Sequence, residues 1–336
     1  MKDSFTKITT SYPRLRIAIA GDFCLDRYLE IDPTRQETSI ETGLPVHNVV
    51  RVRSQPGGAG TILNNLEALG IGEIYPVGFA GDDGEGFELT RALRQKKGVR
   101  LDYFVQTPER RTFTYCKPLV IEPGRPPVEL NRLDSKNWTS TPEGVQQKLA
   151  QAVAELAPRV DALILLDQVD HAETGVVTRL MLGTVAAVSA ARPNLPILAD
   201  SRRGLRGFPS VCFKMNRAEL AALTDWNGPL EMPDVKRLAR ELAKRNRRTV
   251  FVTLSEQGIL GANPDGEVVH LPTLPVRGPI DIVGAGDAVT ANLAAALSGG
   301  ANLREALELA NAAASIVVHQ LGTTGTASVA QLAEWM

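Results

Sequence analysis

The feature that most constrains this chain is an alternation between short, almost wholly apolar runs and longer windows with apolar residues at helical spacing. Leu15–Gly21, Ile74–Phe79, Asp161–Asp167, Leu195–Asp200 and Thr249–Ser255 are the short runs. Gly60–Leu69, Gly86–Lys97, Glu173–Ala191, Ala285–Leu297 and Leu303–His319 are the helical windows. A strand covered on both faces reads as an unbroken apolar run, whereas a strand with one wet face alternates. The pattern therefore predicts βαβ units: an α/β fold with a mainly parallel central sheet and helices on both sides. Asp265-Gly266, between Ile259–Ala262 and Glu267–Leu271, predicts one hairpin.

Two stretches break this rhythm. Residues 28–53 and 101–133 carry extended, alternating segments such as TFTYCKPLVI and VELNRL, with the turn-rich tip EPGRPP between them. Two β insertions that return to the same end of the sheet can form a small second sheet. There it would act as a lid over the crevice at the strand C-termini, where open α/β sheets bind ligands.

Composition removes several function classes. The chain has 336 residues with 37 Lys+Arg against 38 Asp+Glu, a balance without the basic excess of a nucleic-acid binder. No apolar stretch is long enough for a membrane span, and the polar N-terminal segment lacks a signal-peptide core. The expectation is a cytoplasmic protein with neither a nucleic-acid nor a membrane partner. Cys24, Cys116 and Cys212 are far apart and form no CxxC pair, so neither a disulfide framework nor a zinc site is supported. His47, His171, His270 and His319 give no ligand pair. No GxxxxGK[ST], HExxH or GxSxG motif occurs.

The chemistry concentrates at Asp281-Ile282-Val283-Gly284-Ala285-Gly286-Asp287, which opens the apolar helix AVTANLAAAL. Small residues at 284–286 let backbone approach a ligand, and free N–H groups at a helix start form an anion site. Asp287, in the first turn, can take a proton from a hydroxyl that attacks phosphorus. A dipole-stabilising Asp on a Gly-rich cap would look the same. Asn216-Arg217-Ala218-Glu219 reads two ways as well: a helix capping arrangement, or a carboxylate for hydrated Mg²⁺. Pro56-Gly57-Gly58-Ala59-Gly60 opens another helix, and Gly21-Asp22 ends the first strand.

These four segments, in this order, resemble the ribokinase-like (pfkB-type) carbohydrate kinases, across roughly residues 14–325. The resemblance implies a three-layer α/β/α sandwich with a small β-sheet lid, ATP as phosphoryl donor, Mg²⁺, and a sugar hydroxyl as nucleophile. It makes Asp287 the general base and Gly284, Ala285 and Gly286 the anion hole. Asp22, Asp26, Gly57, Gly58, Asn65 and Arg132 fall on the sugar side. Asn216 and Glu219 fall at the Mg²⁺–phosphate end, with Glu219 reaching the metal through water. Thr253, Ser255, Gly258 and Asn311 fall on the nucleotide side. A monovalent cation near Asp281 is a family habit, left open here because Ile282 and Val283 replace the frequent threonines.

Within the family, GDFCLDRYL, the LPVHNVVRV run before PGGAG, and NRLD at Asn131–Asp134 look most like the heptose-7-phosphate kinase branch. Thr61, where an Asn usually follows the Gly-Gly-Ala turn, and LLDQVDHAETG at 165–175 depart from it. A fused nucleotidyltransferase domain, carried by some relatives, is not expected. Arg27, Arg51, Arg53, Lys117 and Arg132 are candidates for a phosphate on the substrate, or are solvated lid charges. Apolar lid strands suggest a homodimer through the lid. The competing readings are a non-catalytic sugar- or nucleotide-binding regulator, which needs no base at 287, and a nucleoside or vitamin kinase of the same superfamily. A content of 5% aromatic residues argues mildly against the latter.

Overall fold

The computed structural model describes residues 2–335. Its spine is a nine-stranded sheet. From one edge the order is Val268–Leu271, Ile259–Ala262, Val250–Thr253, Cys212–Asn216, Ile197–Ser201, Ala162–Asp167, Arg16–Gly21, Glu73–Gly81 and Phe104–Thr107. Every pairing from Val250–Thr253 to Phe104–Thr107 is parallel, and the expected hairpin supplies the antiparallel edge.

The first strand shows why apolar runs demand two helical layers. Ile17 and Ile19 enter one core with the helices Ala59–Ala68, Ala285–Ser298 and Leu303–Val318. Ala18 and Ala20 enter the other, with Glu143–Leu156, Arg179–Ala191 and Met232–Asn246. All four residues are fully buried, as the two-residue period of a strand covered on both faces requires.

One helical window is shorter than its sequence suggests. Residues 173–178 are loop, and the helix starts at Arg179 behind the cap of Thr178, whose hydroxyl accepts from the Met181 N–H. Glu173 has a φ of 66°, and the N–H of Val176 is taken by the Asp22 carboxylate instead of a helical carbonyl.

The lid is a second sheet, in the order Leu133–Ser135, Phe113–Val120, Phe23–Ile31 and Val49–Gly58, with Val128–Glu129 added to Phe113–Val120. Its strands start at Phe23 and continue to Gly58, beyond the 28–53 stretch read from the sequence. Phe104–Thr107, inside the second stretch, joins the main sheet, with the Phe104 ring edge-on to Phe23 at 5.5 Å. Gly58 makes the return from lid to body possible. Its φ of 56° caps the next helix, and a Cβ there would lie 2.5 Å from the Asp22 carbonyl oxygen.

Glu88, on the helix Gly84–Arg94, joins lid to body with both carboxylate oxygens. Oε1 accepts from Arg27 Nη2 at 2.8 Å, and Oε2 accepts from the Ser54 hydroxyl at 2.6 Å. Arg27 and Ser54 are directly opposite on adjacent lid strands. Replacing Glu88 with Ala unlatches both strands together. Amide hydrogen exchange of 23–31 and 49–58 is then expected to quicken at least tenfold, while 162–167 and 197–201 keep their protection.

Candidate active site

The helix Ala285–Ser298 begins at the crevice between sheet and lid, capped by Gly284 in the left-handed region with φ 84°. The Ala285 N–H closes a turn on the Ile282 carbonyl at 3.2 Å. Among the described residues, the N–H groups of Gly284, Gly286 and Asp287 have no hydrogen-bond partner. The open donors are thus 284, 286 and 287: of the expected 284–286 set Ala285 is spent on Ile282, and the Asp287 N–H is open as well. Asp281 pins the preceding turn, accepting from the N–H groups of Val283 at 3.0 Å and Gly322 at 3.3 Å.

Beneath this helix start lies a buried ion pair that sequence reasoning missed. Lys214 Nζ donates to Asp200 Oδ2 at 2.7 Å, and both residues are buried. A Cβ on Gly286 would stand 3.1 Å from Lys214 Nζ, so glycine there lets the ammonium reach the open N–H groups. Burial works against the charge of Lys214, but the Asp200 carboxylate outweighs it and raises the lysine above its ordinary value. The overlooked signal was a lysine inside the apolar run Val211–Met215, which a buried strand tolerates only with a partner.

Asp287 is half-buried in this field. Burial is the main cause that lifts its carboxyl to about 7; Lys214 pulls the value down, and Asp200 and Asp26 push it up. Asp26 hangs from the lid strand Phe23–Ile31, and Gly57 makes room for it: a Cβ at 57 would come within 2.6 Å of Asp26 Oδ2. Burial raises Asp26 as well, with Lys117 and Arg132 opposing. Arg132 is exposed, bonded to Asp134 at 2.7 Å, with its guanidinium 5.2 Å from the Tyr115 ring centre.

Asn216 and Glu219 form the reciprocal capping box: the Asn216 side chain accepts from Glu219 N–H at 2.9 Å, and Glu219 Oε2 accepts from Asn216 N–H at 2.7 Å. That leaves Oε1 for a ligand. Glu219 is raised first by burial, and it feels both Asp200 and Lys214, which puts it at the same site. Among the described residues no group of three metal-binding side chains occurs. A single open carboxylate oxygen suits Mg²⁺, which keeps several waters and takes phosphate oxygens.

The nucleotide-side candidates are Thr253 at the end of the next strand, Ser255 and Gly258 in the turn that follows it, and Asn311 on the helix Leu303–Val318. Thr253 Oγ1 donates to the Met215 carbonyl at 3.4 Å, Ser255 and Gly258 have φ of 53° and 88°, and Asn311 Nδ2 donates to the Pro272 carbonyl at 2.8 Å.

Two expected sugar contacts do not face the crevice. Asp22 is 3% exposed, with Oδ1 accepting from the Val176 N–H at 2.7 Å and Oδ2 from the Gln168 N–H at 2.8 Å. It ties the 168–176 loop to the first strand. Asn65 is fully buried and spends its amide N–H on the carbonyls of Thr61 and Gly325.

A family model for "pfkB family carbohydrate kinase" matches residues 23–330. The chain belongs to that family. Its description is that of a carbohydrate kinase, a phosphotransferase acting on a sugar hydroxyl. Two curated relatives share the printed name "Bifunctional protein HldE". The one from Azorhizobium caulinodans is 31% identical over 91% of this chain and 61% of its own length. The one from Vibrio vulnificus is 34% identical over 97% and 64%. The chain thus spans about three fifths of the length of these pfkB relatives. Among solved structures, Escherichia coli phosphofructokinase-2 in complex with fructose-6-phosphate aligns with a TM-score of 0.69 at 18% identity, covering 95% of this chain and 97% of that one. Arabidopsis thaliana ribokinase complexed with ribose and ATP gives 0.64 at 17%, covering 96% and 98%. These two likenesses establish the ribokinase-like fold.

Asp22 generates a stability prediction. Burial chiefly, then the Asp167 carboxylate, lifts it to about 7, against the pull of the Val176, Gln168 and Val169 N–H groups. A carboxyl raised above its unfolded value contributes stability that is full below about pH 4 and is lost as pH climbs through about 7. Asp22→Ala strands two buried N–H groups. It is expected to cost about 2–4 kcal/mol in urea unfolding at pH 6, and to flatten the decline between pH 4 and 7.

Proposed function

We propose that this chain transfers the γ-phosphoryl group of ATP to a hydroxyl of a sugar phosphate, with a heptose phosphate as the favoured substrate class. The observation that carries the reading is Asp287: a carboxyl lifted to about 7, one residue past open helix N–H groups and beside Lys214. A binding protein has no use for a proton acceptor there. A kinase needs one that is half-ionised near neutral pH. The heptose part rests on the likeness of the N-terminal third to heptose-7-phosphate kinases and on the relatives named HldE.

The residues divide the work. Asp26 holds sugar hydroxyls in reach of Asp287, which takes the proton as the hydroxyl oxygen attacks phosphorus. The N–H groups of 284, 286 and 287, with the Lys214 ammonium, face the charge that develops on the transferring group. Glu219 Oε1 would hold a water of Mg²⁺, which when bound would supply charge neutralisation at the triphosphate. Thr253, Ser255, Gly258 and Asn311 border the nucleotide. Lid closure excludes water from the transfer. Among the described residues the edge strand Val49–Gly58 pairs only with Phe23–Ile31, and it exposes Val49, Val50 and Val52, which supports pairing of lids between two copies.

Three measurements test this reading. Asp287→Asn keeps the size of the side chain but removes the acceptor, so kcat should fall about 10²–10⁴-fold; near-wild-type turnover would end the mechanism. Because the base works only when ionised, the rate should rise with pH through about 7 and level off above it. Glu219→Gln keeps an acceptor oxygen for the capping box. It should therefore leave the melting temperature in place while raising the Mg²⁺ needed for half-maximal rate.

A further inference from the structure

The lid has two faces, and its register sorts the candidate cations between them. Arg27, on one face, is committed to the body through Glu88 and lies 3.7 Å from Glu85. Alternate residues of the same strand, Asp26 and Tyr28, share the other face with Asp287's site. Directly opposite Tyr28 stand Arg53 on one neighbouring strand and Lys117 on the other. Directly opposed residues share a face, and the distances agree. Arg53 Cζ is 4.8 Å from the Tyr28 ring centre, and Lys117 Nζ is 4.9 Å from it. Two cations thus flank one aromatic ring, about 10 Å apart at most.

Their own partners leave charge over. The nearest carboxylate to Lys117 is Asp26, at 3.8 Å, outside hydrogen-bond range. Arg53 bonds Glu30 through Nε at 2.6 Å, and among the described residues its two Nη groups have no partner. Glu30 is shared with Arg51, at 3.9 Å. The other cations near the crevice are spent differently: Arg132 on Asp134 and Lys136 on Asp170, each at 2.7 Å. Like charges gathered on one ring repel each other unless an anion sits between them.

We infer that Lys117 and Arg53, framing Tyr28, form the subsite for the phosphate that the sugar already carries. This rests on the proposed sugar-phosphate kinase activity and places the phosphate on the substrate. Tyr28 lies two residues beyond Asp26, about 6–7 Å further along the strand. That offset suits a phosphate at the end of the sugar's carbon chain, not one beside the reacting hydroxyl. Guanidinium offers a planar fork to the phosphate oxygens and the ammonium a point charge, while the tyrosine ring shields both from water.

The test compares kcat/KM for matched pairs, sedoheptulose 7-phosphate against sedoheptulose and fructose 6-phosphate against fructose. The wild type should favour the phosphorylated member by at least tenfold. Lys117→Met and Arg53→Met should each cut that ratio by tenfold or more, and Lys117→Arg should restore most of it. Arg27→Met, on the opposite face, should change both members of a pair alike. Where Lys117→Met lowers the melting temperature, Lys117→Gln carries the same comparison. A phosphate preference that survives both methionine variants overturns the subsite and leaves the proposed function standing. A wild type without preference in either pair overturns the subsite and the sugar-phosphate reading together, while phosphoryl transfer to free sugars would remain.

Discussion

The buried ion pair between Lys214 and Asp200 sets the terms for the site around it. Two charges taken out of water cost several kcal/mol each, and removing either alone leaves the other uncompensated. Here the pair joins two neighbouring strands, with Lys214 at the middle of Cys212–Asn216 and Asp200 near the C-terminal end of Ile197–Ser201, under the first turn of Ala285–Ser298. Thr290, on that helix, reaches Asp200 Oδ2 at 3.4 Å. The helix start, with its open N–H groups, is thereby held against a fixed positive charge. Asp287 inherits opposing influences, a lysine that favours its charge and two carboxylates that oppose it. A shorter or neutral side chain at 214 would leave Asp200 buried without a counter-charge.

Much of this was legible in the sequence, for identifiable reasons. Apolar runs located the buried strands because a strand covered on both faces has no room for polar residues. Gly284-Ala285-Gly286-Asp287 was legible as a helix start with free N–H groups, while the residues alone did not separate a base at 287 from a dipole-stabilising Asp. The capping box of Asn216 and Glu219 is local, so spacing alone predicted it. Side-chain direction at long range was not legible. Asp22 and Asp26 are both carboxylates near the same strand end, and only the fold sends one to the 168–176 backbone and the other to the crevice. The family resemblance put Asn65 on the sugar side, while in the fold Gly325, 260 positions away, meets its amide in the core. Lys214 went unassigned because its partner, Asp200, belongs to a different strand.

The lid illustrates how a period of two converts one stretch of sequence into two surfaces. In Phe23–Ile31, Arg27 turns to Glu88 on the body, while Asp26 and Tyr28 turn to the crevice. A one-residue slip of register would exchange these sets, sending Arg27 into the crevice and Asp26 against Glu88. The parallel pairing with Phe113–Val120 and the antiparallel pairing with Val49–Gly58 fix that register from both sides. Gly57 and Gly58 complete the constraint, because Asp26 and the Asp22 carbonyl occupy the space that side chains would need.

The same arrangement links motion to chemistry. The crevice face of the lid carries Asp26, and Asp26 is one of the charges that raise Asp287. A lid held further from the body would weaken that repulsion, so the base would be more acidic in an open form than in a closed one. In the proposed mechanism, closing on a sugar would strengthen the base and exclude water in one movement. Glu88 ties the lid to the body, since Arg27 and Ser54 attach two adjacent lid strands to a single carboxylate.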